Sequence, residues 1–290
     1  MHLSETPFAE QNKQCVPSSC GHIHDISYPF RLKSDPKHCG HENYELSCEG
    51  NHTILDGDES NYHIVQAINY DNSTIHLVDP DIREKVVCSL PKPLRSAYSS
   101  LLNRFTTWRR RYLPSPSHVR SVPISLVETI TVFSCPFPIN SPDIVEITSC
   151  LNRSYASSGL FRGHRYATMA ELSPSDLKVG CSVDLMSMTS WHNYDANANS
   201  SILSLHKALA YGFELSWFQN VYCDKCPRHT GRNSYQSCEG ENSRNVRCVE
   251  ISYGCDYYNF RFFKTPDCCK NIPYVMLEFK TLLAILQCKS

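Results

Sequence analysis

The chain has 290 residues, 16 of them cysteine, and its formal net charge is −1. This length predicts about two domains, and the near-zero charge argues against a general nucleic-acid binder. So many thiols would be a liability in a reducing cytosol, so the even cysteine count predicts disulfides and an oxidising compartment.

N-glycosylation sequons indicate the same compartment. They begin at Asn51, Asn72, Asn152 and Asn199, and each is expected at the surface of a secreted protein. The first fourteen residues lack the apolar core of a signal peptide, and no apolar run reaches about 18 residues. We therefore expect a native product that is longer at both ends and tethered to the plasma membrane. The alternative is a cytosolic protein with free thiols.

Residues 15–91 predict a small antiparallel β domain, the first module. Alternating or β-branched stretches cover 44–48, 62–68 and 74–78, and Asp71-Asn72 favours a turn between the last two. This module holds five Lys or Arg against twelve Asp or Glu, a net charge of −7.

Residues 92–121 predict a basic connector. From Lys92 to Arg120 there are seven cations and no acid. The segment reads either as a solvated loop or as a helix over 99–112, which Pro114 would end.

Residues 122–250 predict the second module, and residues 251–290 an unassigned tail. Strands are expected at 124–133, 165–169 and 213–217, and an amphipathic helix at 201–211 ended by Gly212. A short helix should open at Ser173. The tail carries an apolar helix over 276–286, too short and too charged to cross a bilayer. The predicted fold is mainly β with a few short helices, in two disulfide-stapled extracellular modules.

The cysteines leave their pairing open. Sequence neighbours such as Cys39 and Cys48 are plausible partners. The cysteines predicted to form disulfides are Cys15, Cys20, Cys39, Cys48, Cys88, Cys135, Cys150, Cys181, Cys223, Cys226, Cys238, Cys248 and Cys255.

The sequence contains little that indicates a metal site or a catalytic site. The spacing from Cys223 to Cys248 gives only half of a zinc ribbon. The acidic stretch 56–60 fails the EF-hand pattern, with Asn61 where glycine is needed and Ala67 where glutamate is needed. No catalytic motif is found, so we expect no enzyme activity, no catalytic residue, no metal site and no cofactor.

The order of motifs in the first module resembles the galacturonan-binding domain of plant wall-associated receptor kinases. The resemblance lies in Cys15-x4-Cys20-Gly21, the run 26–32, Cys39-Gly40 and the closing Cys88. The second module, in 208–217 and Cys223-x2-Cys226, is similar to the C-terminal ectodomain module of the leaf-rust-resistance subgroup. It departs from that family in 226–255, which is polar and poor in glycine. No kinase motif is found.

This resemblance implies non-enzymatic recognition of a cell-wall polysaccharide, with pectin as the leading ligand. The protein would be the ectodomain of a receptor kinase, or a kinase-less relative, at the outer face of the plasma membrane. A polymer with one carboxylate per sugar needs Arg or Lys beside aromatic platforms. The candidate ligand-binding residues are Tyr28, Arg31, Lys33, Lys37, Trp108, Arg109, Arg110 and Arg111.

The charge of −7 on the first module opposes a polyanion, and three readings follow from that conflict. The basic connector could form the groove, calcium could bridge acidic residues to pectate, or the ligand could be something else. The alternatives of another class are a receptor module for a protein or peptide, and a secreted structural glycoprotein.

Overall fold

The computed structural model describes residues 15–57, 62–83, 85–91, 99–113, 120–150, 163–170, 172, 177–191, 201–223, 226 and 234–252. No helix within these residues is long and apolar enough to cross a bilayer. The strands of the first module are β1 (Ser18–Cys20), β2 (Ile23–Ile26), β3 (Arg31–Leu32), β4 (Glu45–Glu49), β5 (His52–Asp56), β6 (Tyr62–Asn69) and β7 (Thr74–Val78). The later strands are β8 (Trp108–Leu113), β9 (Arg120–Ser125), β10 (Glu128–Cys135), β11 (Ile144–Glu146), β12 (His164–Thr168), β13 (Ser182–Thr189), β14 (Phe213–Ser216), β15 (Ser234–Glu239) and β16 (Arg247–Ser252). The helices are α1 (Ser99–Arg104), α2 (Ile202–Tyr211) and α3 (Phe218–Tyr222).

A six-stranded sheet holds most of the first module. Its order is β14-β7-β6-β5-β4-β3, antiparallel except for the β3–β4 pair. The predicted strands at 44–48, 62–68 and 74–78 are confirmed within one residue, as is the turn at Asp71-Asn72. The outer strand β14 comes from the second module, so the sheet joins segments more than a hundred residues apart.

A four-stranded antiparallel sheet, ordered β11-β12-β10-β13, forms most of the rest. The single strand expected over 124–133 is divided in two. Ser125 ends β9, Leu126 and Val127 turn into the core, and β10 begins at Glu128. The burial of these two apolar side chains is what interrupts the strand.

Helix α2 has the ends that the sequence predicts. The Ser201 hydroxyl accepts a hydrogen bond from the Ser204 N–H, and Gly212 follows with φ +83°. A Cβ on Gly212 would lie 2.1 Å from the Leu77 carbonyl oxygen. Glycine is therefore required both to end the helix and to bring β14 against β7.

The basic connector is neither a long helix nor, over its described residues, a solvated loop. The predicted helix is wrong beyond Arg104, where α1 ends. Thr106 then forms two backbone hydrogen bonds with Ser216, of 2.7 and 2.9 Å, and β8 pairs with β9. Leu101 and Phe105 are buried in the core, so tertiary pairing overrides helix propensity here.

Disulfides link twelve of the described cysteines. They are Cys15–Cys39, Cys20–Cys48, Cys88–Cys150, Cys135–Cys181, Cys223–Cys238 and Cys226–Cys248. The suggestion that Cys39 pairs with Cys48 is wrong, because β1 lies beside the turn between β4 and β5, where Cys48 bonds to Cys20 and the Thr53 hydroxyl donates to the Cys20 carbonyl. The cysteines beyond 252, Cys255 among them, lie outside the described residues.

A row of aromatic rings runs through the main core, packed edge to face at each step. Ring centroids are 5.2 Å apart for Phe105–Tyr44, 5.7 Å for Tyr44–Phe30, 4.9 Å for Phe30–Trp217 and 5.8 Å for Trp217–Tyr70. Phe105 belongs to the connector and Trp217 to the second module. The three predicted segments thus share one core, while the boundaries at 91 and 121 stay predictions.

Replacing Trp217 by Ala should lower the free energy of unfolding by about 3–5 kcal/mol. Trp217 is fully buried between Phe30 and Tyr70, so the change leaves a cavity at the junction. Urea unfolding followed by circular dichroism measures the loss. Leu203→Ala, at a position that is 49% exposed, is the control and should stay within about 0.5 kcal/mol of the wild type. A loss at Trp217 no larger than the control's would contradict this role.

His63 should make stability depend on pH. Burial, with the charge of Arg104, lowers the pKa of His63 from 6.5 to about 4. Between pH 6.5 and about 4, His63 is protonated in the unfolded chain but stays neutral in the folded chain. The free energy of unfolding should therefore fall by up to about 3 kcal/mol as the pH drops from 6.5 towards 4.

The measurement compares unfolding across that pH window in the wild type and in His63→Phe, with His24→Phe at an exposed position as the control. The His63 variant should lose part of the pH dependence, and the control should keep it. Identical slopes in all three proteins would assign the effect to other groups.

Candidate functional site

A small recess lies where the first module, the basic connector and the second module meet. The residues that line it include Asn72, Trp108, Arg109, Arg110, Gln219 and Glu241. Among the described residues, it is where three of the predicted ligand-binding residues come together. We refer to it as the recess.

Strand β8 brings the connector's aromatic and basic residues to the recess. The paired hydrogen bonds between Thr106 and Ser216 fix the start of this strand, and the Thr106 hydroxyl donates to the Trp108 carbonyl at 2.7 Å. Trp108, Arg109 and Arg110 are each partly exposed. The Nε of Arg109 is buried without a hydrogen-bond partner. Two arginines and a tryptophan of one strand thus line this corner of the fold.

The opposite wall comes from the second module. Gln219 lies on α3 and donates from its amide to the Cys238 carbonyl at 3.2 Å. Gly240 lies against the Phe218 ring, where a Cβ would come within 2.5 Å of the ring edge. Glycine therefore allows the chain after β15 to close the recess.

Arg31 does not reach this site. It is 6% exposed and forms an ion pair with Glu45, while its Nη1 donates to the Leu32 carbonyl at 3.2 Å. Its aliphatic stem fills the space beside Gly40, where a Cβ would lie 2.7 Å from the Arg31 Cγ. In this fold Arg31 is a structural cation, which the sequence pattern does not distinguish from a ligand-binding one.

The other candidates of the first module are exposed but lie apart from the recess. Lys33 forms an ion pair with Asp56 at 2.6 Å, and the hydrogen bond that it donates to that carboxylate raises the pKa of Lys33. Lys37 is exposed on a 3-10 turn, and Tyr28 is 46% exposed. The backbone of Arg111 lies in β8, and its side chain is outside the described residues.

The recess also contains residues that sequence reasoning did not select as ligand contacts. Gln219 and Glu241 carried no signal, because only the fold brings α3 and the turn after β15 beside β8. Asn72 carried a signal of another kind, its glycosylation sequon. Asn51 is exposed in the turn between β4 and β5, whereas Asn152 and Asn199 lie outside the described residues.

The possible metal ligands are committed to other bonds. Cys223, Cys226, Cys238 and Cys248 form two disulfides. Cys15, His38 and Cys39 lie close enough together to hold an ion, but the two sulfurs are bonded to each other. In the acidic stretch 56–60, Asp56 already binds Lys33 and accepts from the Ser47 hydroxyl at 3.0 Å. Residues 58–60 lie outside the described residues.

Comparison with known proteins places the first module in a family. Residues 15–79 match the family described as wall-associated receptor kinase galacturonan-binding. The chain is 28% identical over 112 residues to the leaf rust 10 disease-resistance locus receptor-like protein kinase-like 1.2 of Arabidopsis thaliana. The match covers 37% of this chain and 15% of that kinase. No solved structure matches the chain.

These matches agree with the motif order, the disulfides and the mainly β fold. Residues 15–79 thus match the wall-associated receptor kinase galacturonan-binding family, and the chain resembles the ectodomain of a wall-associated-kinase-like receptor.

Proposed function

We propose that this protein binds de-esterified pectin non-enzymatically, outside the cell, and that the recess is where it does so. The single observation that carries the proposal is the meeting of Trp108, Arg109 and Arg110 at the junction with a domain of the galacturonan-binding family. Ligand recognition by an ectodomain of a receptor kinase, or of a kinase-less relative, is the corresponding role in the cell.

The choice of the recess over the rest of the first module rests on charge. The first module has a net charge of −7, and two of its cations, Arg31 and Lys33, are paired with Glu45 and Asp56. The connector has seven cations and no acid between Lys92 and Arg120. A polyanion is therefore attracted to the side of the fold where the connector lies, even though the first module as a whole repels it.

The side-chain chemistry fits a sugar acid. A guanidinium pairs with a carboxylate through two parallel hydrogen bonds, and an indole offers an apolar face to a sugar ring. Gln219 adds an amide group that binds hydroxyls. Glu241 is the acidic residue among those that line the recess. Its negative charge would disfavour a carboxylate placed next to it.

Replacing Arg109 and Arg110 together by Ala should weaken binding to polygalacturonate by about tenfold, or 1.4 kcal/mol. Partly exposed ion pairs are each worth about 0–1 kcal/mol, so the two must act together. Calorimetry at low and high salt, with and without calcium, measures the effect. Affinity should fall with salt and with methyl-esterification of the polymer, because both remove the charge attraction.

The matched control is Lys33→Ala with Lys37→Ala, which removes the same charge from the first module. Its affinity should change by less than about twofold if the recess is the site. A larger loss in the control than in the Arg109/Arg110 variant would move the site to the first module. Equal binding of esterified and de-esterified polymer, without salt dependence, would favour the protein- or peptide-ligand alternative.

The substitution Arg31→Ala tests whether Arg31 contributes to stability or to ligand binding. Losing the buried partner of Glu45 should lower the free energy of unfolding by about 2 kcal/mol. The affinity for polygalacturonate, measured where the variant is still folded, should match that of the wild type. Loss of affinity without loss of stability would return Arg31 to the ligand-binding set.

A further inference from the structure

The glycosylation sequon at Asn72 lies on the recess itself. Asn72 and Ser73 lie in the turn that joins β6 to β7, Thr74 begins β7, and Asn72 lines the recess together with Trp108, Arg109 and Arg110. A group attached to this asparagine therefore begins at the mouth of the proposed binding site.

Hydrogen bonds fix the turn in that position. The Asn69 side-chain oxygen accepts from the N–H groups of Asp71 and Asn72, at 3.0 and 3.3 Å. The Ser73 hydroxyl donates to the Glu241 carbonyl at 2.8 Å, and the Ser73 carbonyl accepts from the Trp217 N–H at 3.1 Å. These hydrogen bonds thus fix the position of Asn72 relative to the second-module residues of the recess.

The amide of Asn72 is oriented by its own sequon. Its Oδ1 accepts from the Thr74 hydroxyl at 2.7 Å, whereas its Nδ2 makes no hydrogen bond within the part of the chain that the structure describes. Nδ2 is the atom to which an N-linked sugar is attached. Asn72 is also partly exposed.

We propose that an N-glycan on Asn72 covers the recess and controls access of the acidic polysaccharide to Trp108, Arg109 and Arg110. The proposal rests on the proposed function for its ligand. Glycosylation uses a lipid-diphosphate-linked oligosaccharide of the secretory pathway. A bond forms between Asn72 Nδ2 and the anomeric carbon, the carbon–oxygen bond to the diphosphate breaks, and one amide proton is released.

Size and charge give the direction of the effect. A branched oligosaccharide is larger than this small recess, and its neutral sugars offer hydroxyls to the same arginine and indole groups. It therefore competes with a bound polymer for space and for contacts. Asn51 is the natural comparison, because it lies in another turn and does not line the recess.

The experiment compares the wild type, Asn72→Gln, Asn51→Gln and Thr74→Ser, all secreted from a eukaryotic host. Thr74→Ser keeps the sequon and the hydroxyl and is the control for the turn. Glycopeptide mass spectrometry reports occupancy. Hydroxyl-radical labelling of Trp108 reports access to the recess without any ligand. Calorimetry reports binding of polygalacturonate.

We expect an occupied Asn72 in the wild type. In Asn72→Gln, labelling of Trp108 and affinity for polygalacturonate should each rise by about fivefold, which is close to 1 kcal/mol for the affinity. Asn51→Gln and Thr74→Ser should behave like the wild type. Enzymatic trimming of the wild-type glycan to one sugar should move both readouts in the same direction, and it needs no substitution.

An unmodified Asn72 in the secreted wild type would overturn the proposal. So would Trp108 labelling that is unchanged by both Asn72→Gln and trimming. If labelling rises while no form of the protein binds polygalacturonate, the glycan does cover the recess, and it is the proposed function that fails.

Discussion

The edge-to-face contact between Trp217 and Phe30 is the interaction on which the rest of the structure depends. It joins rings 187 positions apart in sequence with their centroids 4.9 Å apart, and neither ring is exposed. A small β module has little core of its own. The first module completes its core by taking in Trp217 from the second module and Phe105 from the connector. Folding of the galacturonan-binding domain is thereby coupled to the chain that follows it.

The recess is a consequence of that coupling. Once Trp217 is seated, Ser216 pairs with Thr106 and Ser73 binds the Glu241 carbonyl. These bonds bring four separate segments to one corner. The Cys88–Cys150 disulfide adds a covalent link between the predicted modules, and closing a loop of this length stabilises the fold chiefly by restricting the unfolded chain. The recess therefore belongs to the assembled chain.

Local sequence patterns predict an element correctly where its own residues determine its structure. Strands β6 and β7, the turn between them and the capped helix α2 follow from alternation, Asp-Asn and the Ser201–Gly212 pair. Sequence patterns are insufficient where contacts with a distant segment determine the local structure. Residues 105–112 have helical character but pair with Ser216 and β9. Arg31 looks like a solvated cation, yet Glu45 and the space at Gly40 hold it inside. Neither partner is recognisable from local sequence.

The acidic domain lies beside the proposed site for a polyanion, and its ion pairs leave its net charge at −7. Charge counted along the chain treats every cation of 15–91 as free, although Arg31 and Lys33 each have a carboxylate partner. These pairs contribute little field beyond their own surroundings. The connector has no acid between Lys92 and Arg120. In the proposed function, the local field at the recess decides the attraction, and folding contributes by placing β8 beside the end of the acidic sheet.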